Sequence, residues 1–353
     1  MFKKILILLI FLFYACEQYE QDCTEIDNCN DHNLTYFDLV YPSNFPSPNI
    51  PNDNPTTFEG VNLGRHLFYD PILSSDNSVS CASCHKQEYA FGDNTQYSFG
   101  VNNSIGSRNA STIINSAFQL EYDWDGKSSS LETQAIRPIF NEIELHNNNW
   151  TEIVERIELS EFYSEMFCQA FGSTDIDSLK ILNAIAQFQR TIISTNSKFD
   201  KWLRGELAFT DEEIDGFNIF STERGDCFHC HPIGLFTDNL FHNNGLDETY
   251  TDLGRYEVTS NPLDQASFKS PTLRNIEFSS PYMHDGRFAT LDEVIEFYDF
   301  GGYDSPNVDP LMKYVGQGLL LSQQEKDNLK AFLLTLSDDE FINNPDFSNP
   351  FNN

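Results

Sequence analysis

Two five-residue stretches can do chemistry that single residues cannot: Cys81-Ala-Ser-Cys84-His85 and Cys227-Phe-His-Cys230-His231. A Cys-x-x-Cys pair serves a structural zinc site, a dithiol redox centre, or, when His follows at once, covalent attachment of c-type haem. Zinc would need the two cysteine pairs brought together into one site, and that arrangement leaves His85 and His231 without a task. Attachment of haem uses all six residues: each cysteine pair forms thioethers to one porphyrin, and the next histidine ligates its iron. We therefore expect two haem c groups per chain, held by Cys81, Cys84 and His85 and by Cys227, Cys230 and His231.

The start of the chain bears on the compartment. Residues 1–15 carry Lys3 and Lys4, an apolar run from Ile5 to Phe13 too short to span a bilayer, and Ala15 just before Cys16. This reads as a secretory signal peptide, and Cys16 as the lipidated first residue of a mature lipoprotein. The competing reading is an ordinary signal cut nearby, with Cys16 a plain thiol. Either way an exported protein on the periplasmic side is expected, with the membrane engaged through a lipid anchor only. Of the remaining cysteines, Cys23 and Cys29 could close a small disulfide loop. Cys168, on an amphipathic stretch, reads as a buried structural thiol.

Among 353 residues, 21 Lys+Arg against 54 Asp+Glu give a formal charge of −33. That balance excludes nucleic acid as a natural partner, suits a well-solvated surface, and can steer a basic electron-carrier protein. Length and the placement of one motif in each half imply two domains. We expect a tether over 16–54, where Asn, Asp, Pro and Ser dominate, a first haem domain over 55–205, a second cytochrome c-like domain over 206–340, and a tail over 341–353. Helix signals prevail after the tether. Ser129/Glu132, Thr210/Glu213, Thr290/Glu293 and Ser322/Glu325 have capping-box spacing. Ile181, Leu182, Ile185, Phe188 and Ile192 form one helical face, as do Leu329, Phe332, Leu333 and Leu336. The expected fold is mainly α, two cytochrome c-like haem domains with long loops.

From about Gly60 to Asp338 the chain resembles the bacterial di-haem cytochrome c peroxidase family, which includes the MauG-type enzymes. The resemblance rests on LGRHLFYDPILS (63–74), the first haem motif, FGD (91–93), RNAS (108–111), WDGKSSSLETQAIRPI (124–139), FNIFSTERGDCFHCH (217–231), FKSPTLRN (268–275) and PYMHDGRFATLDEV (281–294). It implies a peroxidatic first haem and an electron-transfer second haem. By register it implies that Trp124 bridges the haems and that Glu144, twenty residues on, is the distal acid/base, with Gln134 and Pro138 also matching. It further implies a calcium ion held by Asn109 and the backbone carbonyls of Ser279 and Pro281, oxygen ligands that suit a hard cation.

Two features separate this chain from many family peroxidases. No histidine occurs between Lys86 and Arg108, where such enzymes carry one that closes the first haem. His146, beyond the tryptophan, is a poor substitute, so the first site should be open. At the distal ligand position of the second haem, fourteen residues past His284, stands Tyr298, as in MauG-type members, where the better-known peroxidases have methionine. Met312 and Met283 are the competing ligands.

The resemblance implies reduction of hydrogen peroxide to water with electrons from a small soluble periplasmic donor, a cytochrome c or a cupredoxin. Two alternatives stand beside it. A MauG-like oxidase would modify a protein partner, and a plain di-haem electron carrier would have no use for Glu144 and Trp124. The oligomeric state is open, a homodimer included.

Overall fold

The computed structural model describes Cys29 and residues 34–352. The expected signal peptide, Cys16 and Cys23 lie outside the described residues. Helices dominate, as the patterning predicts. In chain order the longer ones are α1 (Phe58–Tyr69), α2 (Leu131–Phe140), α3 (Trp150–Glu158), α4 (Glu161–Phe171), α5 (Ser178–Thr191), α6 (Lys198–Leu203), α7 (Asp211–Phe220), α8 (Leu291–Phe300) and α9 (Gln323–Leu334). Two-residue strands β1 (Phe241–His242) and β2 (Phe268–Lys269) pair antiparallel, Phe241 opposite Lys269 and His242 opposite Phe268.

Each half is organised on a close helix crossing. In the first, α1 packs on α5 so tightly that a Cβ on Gly64 would lie 1.9 Å from the Ala184 carbonyl oxygen. In the second, α7 packs on α9, and a Cβ on Gly216 would lie 1.9 Å from the Asn328 carbonyl oxygen. Any larger residue would push the backbones apart and open the apolar layers they seal. Leu63, Leu67, Ile139, Ile153, Phe167, Ile181 and Ile185 fill the first layer. Phe199, Phe220, Phe236, Ile295, Leu329, Phe332 and Leu336 fill the second.

Thr210, Thr290 and Ser322 cap α7, α8 and α9 with capping boxes closed by Glu213, Glu293 and Glu325. The box expected at Ser129/Glu132 is shifted by one residue: Ser130 caps α2 with Thr133. Glu132 instead turns inward to pair with the buried Arg190 and to accept from Asn54 Nδ2 at 2.6 Å. A buried guanidinium outbids a backbone N–H for that carboxylate because leaving it unpaired would cost more.

Two expectations about the chain's flanks are corrected. The segment expected as a tether is docked on the body from residue 34. Phe45 is buried beside Phe118 and Leu235, and Asn54 is buried between Glu132 and Gln187. At the other end Phe341 and Phe347 pack with Phe68, Phe91 and Phe188 of the first half, and Arg65 Nε donates to the Ser348 carbonyl at 2.6 Å. The cysteine expectation is corrected too. Cys29 bonds to Cys168, across 139 residues, so Cys168 is not a free thiol and Cys29 is not paired with Cys23. The bridge ties the start of the described chain to α4.

Arg274 is 0 % exposed and makes a two-pronged ion pair with Asp200, at 2.8 and 2.9 Å, while its Nε donates to the Gly234 carbonyl. Burial works against ionisation of Asp200, but the Arg274 guanidinium wins and holds its carboxyl below the usual range. Its contribution to stability is therefore present above the ordinary carboxylate pKa and is lost as pH falls through the depressed one. Asp200→Asn, which strands a buried guanidinium, should destabilise the protein by about 3 kcal/mol at neutral pH, measured by denaturant unfolding. That gap should narrow in acid.

Candidate haem sites and the seam between them

Each haem motif folds into a single helical turn that places its cysteines and histidine on one side: Cys81–Cys84 is α-helical and Cys227–His229 is 3-10. Both histidine rings are then fixed in the same way. His85 Nδ1 donates to the Phe91 carbonyl at 2.9 Å, and His231 Nδ1 to the Phe236 carbonyl at 3.0 Å. The bond settles the tautomer and aims Nε2 away from the backbone as a free lone pair, which is what an iron ligand requires. Burial lowers the pKa of both rings and keeps them neutral.

The cysteines are not a redox or zinc centre. Burial pushes the thiols of Cys81 and Cys227 up to about 12, opposite to the depression that makes a reactive dithiol. Nor do the two pairs meet: among the described residues the sole cluster of His, Cys, Asp and Glu with ligand atoms close enough for one ion is Glu223, Asp226 and His229. Lys313 already occupies it, with Nζ 3.1 Å from Asp226 and 2.8 Å from His229. Free cysteines paired with a carbonyl-oriented histidine fit covalent haem at both sites.

Beside the first motif, Glu144 lies in the turn after α2. Its backbone carbonyl accepts from Val101 N at 2.9 Å and its carboxylate from Asn141 Nδ2 at 2.6 Å. Glu144 is an exposed residue, yet its carboxylate stands among enough protein that burial raises its pKa, against the pull of Asn141 and Arg137. Its charge is one of the lesser causes that raise the pKa of Cys81 and Cys84, so the carboxylate lies within electrostatic range of the first motif. Gln134, on α2, has its Nε2 3.5 Å from Asp123, which also takes an ion pair from Arg137 at 2.7 Å.

The second motif opens onto a large apolar cavity. Cys227, Cys230 and His231 line it with Tyr298, Met283 and Met312, and so do Trp124, Asn109, Ser279 and Pro281. The first half thus supplies part of the wall of the second site. Tyr298 projects from α8, its hydroxyl accepting from Asn244 Nδ2 at 3.2 Å. Burial pushes that phenol up to about 12, and the Asn244 bond draws it down. Asn109 donates through Nδ2 to the carbonyls of Thr95 and Gln96, at 3.0 and 3.3 Å. Among the described residues no donor reaches its Oδ1. Trp124 Nε1 donates to the Asn109 carbonyl at 2.9 Å.

Residues to which the sequence reading gave no role shape this seam. Arg108 reaches Asp125 at 2.7 Å and grips Asp252 with two bonds, at 2.7 and 2.8 Å. Arg255 donates to the Asp125 carbonyl at 3.2 Å and to Glu121 at 2.9 Å, and lies 3.7 Å over the Phe241 ring. His242, in the second cavity, contacts Asp309 at 2.7 Å through Nδ1 and Asp238 at 2.8 Å through Nε2. Two carboxylates on two ring nitrogens require the imidazolium. Burial opposes its charge, but the bonds to Asp238, Cys230 and Asp309 push its pKa up to about 11. Motif spacing singles out neither His242 nor Asn244, and Lys269 appears only within the FKSPTLRN stretch. Asp238 apart, their partners lie far along the chain, where only a long-range pairing signal could have found them. His284, left without a role, stacks on Phe268 with centroids 3.7 Å apart.

Known proteins match this arrangement. The family model for di-haem cytochrome c peroxidase matches residues 58–208. The chain is 35 % identical over 317 residues to cytochrome c551 peroxidase of Nitrosomonas europaea, covering 88 % of each chain. It is 36 % identical over 299 residues to methylamine utilization protein MauG of Methylorubrum extorquens, covering 84 % of this chain and 82 % of that one. Among solved structures, a MauG-like protein associated with microbial copper homeostasis superposes with a TM-score of 0.83 at 34 % identity, over 89 % of this chain and 99 % of that one. The diheme peroxidase BthA of Burkholderia thailandensis shares the fold, with a TM-score of 0.70 at 20 % identity over 86 % of this chain and 90 % of that one. With relatives matched across both halves, and both haem motifs in place, this chain belongs to the di-haem cytochrome c peroxidase family and is an oxidoreductase of that family.

Proposed function

We propose that this protein reduces hydrogen peroxide to water at the first haem site, with two electrons delivered through the second by a small periplasmic carrier protein, a cytochrome c or a cupredoxin. The observation that carries this reading is the pair of motif histidines, His85 and His231, each held by a carbonyl on Nδ1 in a chain that belongs to this family, with Glu144 in the turn after α2 as the carboxylate nearest in register. The overall step is H2O2 + 2 H+ + 2 e− → 2 H2O. Haem bound at His85 would supply an iron with an open face and the redox change. Glu144 takes the proton from the near oxygen of peroxide and returns it to the far one, so that water rather than hydroxide departs. Gln134 and Arg137, through Asp123, hold the polar wall beside it. Trp124 passes electrons, since its indole stands on the wall of the second cavity while its loop belongs to the first half. Asn109 Oδ1 with the carbonyls of Ser279 and Pro281 would hold a calcium ion at that wall. In this reading the protein is exported and anchored by lipid on Cys16; among the described residues no helix is long and apolar enough to cross a membrane.

The acid/base role has a pH signature. The carboxylate is the form that accepts the peroxide proton, so turnover should rise with pH through the Glu144 pKa, above the ordinary carboxylate range because burial raises it. Glu144→Gln should lower kcat/KM for peroxide about 10²- to 10⁴-fold and abolish that limb, while both haems remain attached. Steady-state kinetics across pH decide it. A Gln variant with full activity would remove Glu144 from the chemistry.

A second reading is favoured by Tyr298. A phenolate on the second iron would stabilise its ferric state and lower its potential, which suits an oxidase that modifies a protein partner in the manner of MauG. Tyr298 sits in the second cavity and receives the Asn244 hydrogen bond, but Met283 and Met312 line the same space. With Tyr298 as ligand, Tyr298→Phe changes the spin state or raises the potential of the second haem alone, and Met312→Leu leaves its spectrum unchanged. A near-infrared thioether band that vanishes in Met312→Leu would assign the methionine instead.

A further inference from the structure

Lys269 lies in β2, in the second half of the chain, on the same cavity wall as Trp124. Its backbone N–H donates to the Trp124 carbonyl at 2.8 Å. Its ammonium donates to Gln119 Oε1 at 2.5 Å and to the Glu121 carbonyl at 3.0 Å, and stands 5.8 Å from the centre of the Tyr122 ring. One residue thus grips the loop 119–124 at three points from across the seam. The indole itself is pinned at its other edge, where Nε1 donates to the Asn109 carbonyl.

An ammonium packed inside a half-buried strand is a costly way to fill space, because it must be largely desolvated. Burial draws its pKa down to about 8, with Asp123, Glu121 and Asp125 acting the other way. A methionine or leucine would pack there at less cost. What only the lysine provides is a set of directed donors on a loop that has no regular secondary structure of its own.

We propose that Lys269 is the positioning residue for Trp124, fixing the indole against the second cavity and so setting the rate at which electrons cross between the two haem sites. The inference rests on the reading of Trp124 as the bridge. Each electron that enters the chain at the second haem leaves it at the first, and Trp124 ends as it began. Such passage depends on distance and orientation, and a displacement of about 1 Å in a positioned reaction costs up to about 10²-fold.

The test uses the full-length holoprotein. An electron is delivered to the second haem by a rapid reductant, and its appearance at the first is followed by absorbance. Lys269→Met, which keeps length and the backbone bond to Trp124 but removes the two ammonium bonds to Gln119 and Glu121, should slow that passage about tenfold with two haems still bound per chain. Lys269→Arg, which keeps charge and donors, should recover most of the loss. In a Trp124→Phe background, Lys269→Met should add nothing. If Trp124→Phe slows passage and Lys269→Met does not, the positioning role is overturned and the bridge stands; if Trp124→Phe has no effect, the bridge itself falls. A further loss in the double variant would also overturn the proposal, since Lys269 would then act elsewhere. Should Lys269→Met fail to take up haem, Gln119→Ala removes one grip alone, and unchanged passage in that variant would count against the role.

Discussion

Charged side chains of one half that end on carboxylates and carbonyls of the other hold the two haem sites in register. Arg108 reaches from the first half to Asp252, and Arg255 and Lys269 reach back to Glu121 and its neighbours. These contacts are directional where apolar packing is not. Two apolar layers could slide by a fraction of a side chain and lose little, whereas a two-pronged guanidinium pair has one good geometry. Exposed pairs of this kind are worth about 0–1 kcal/mol, so the half-buried members matter more for where they place the loop 119–126 than for stability. The buried Arg274–Asp200 pair, beside Phe236 of the second layer, acts on stability.

The same logic operates inside each site. A haem ligand must offer Nε2 in one orientation, and the fold achieves this twice by bonding Nδ1 to a nearby carbonyl, Phe91 for His85 and Phe236 for His231. Those two phenylalanines are themselves buried in the aromatic layers built on α5 and α9. Iron-ligand direction is therefore tied to core packing. The close crossings at Gly64 and Gly216 serve that purpose as much as they serve stability.

Much of this was legible in the sequence because it is local. The Cys-x-x-Cys-His motifs, the caps at Thr210, Thr290 and Ser322, and the apolar faces of α5 and α9 all lie within one or two turns of chain. The failures are long-range. Cys29 finds Cys168 and not Cys23 because the fold brings α4 to it, which no spacing rule encodes. Glu132 leaves the capping position because Arg190 is buried beside it. Residues 34–54 have the composition of a tether, but Phe45 and Asn54 each find a built receptor. His242 carries no motif and Lys269 is one unremarked position of FKSPTLRN; their importance depends on which acids and carbonyls the fold places around them. Glu144 and Trp124 were located only by family register; the sequence spacing alone would have left a carboxylate near a turn and an interface aromatic.

The central claim is an open first haem site served by Glu144 and fed through Trp124. It is tested most directly by mixing the fully oxidised, as-isolated holoprotein with hydrogen peroxide in a stopped-flow spectrometer, then adding a reduced cytochrome c. The account predicts an immediate change confined to the first haem, with no prior reduction needed, because no histidine between Lys86 and Arg108 is available to close it. It also predicts two electrons consumed per peroxide once the donor is present. A first haem that stays silent until the second has been reduced would contradict it.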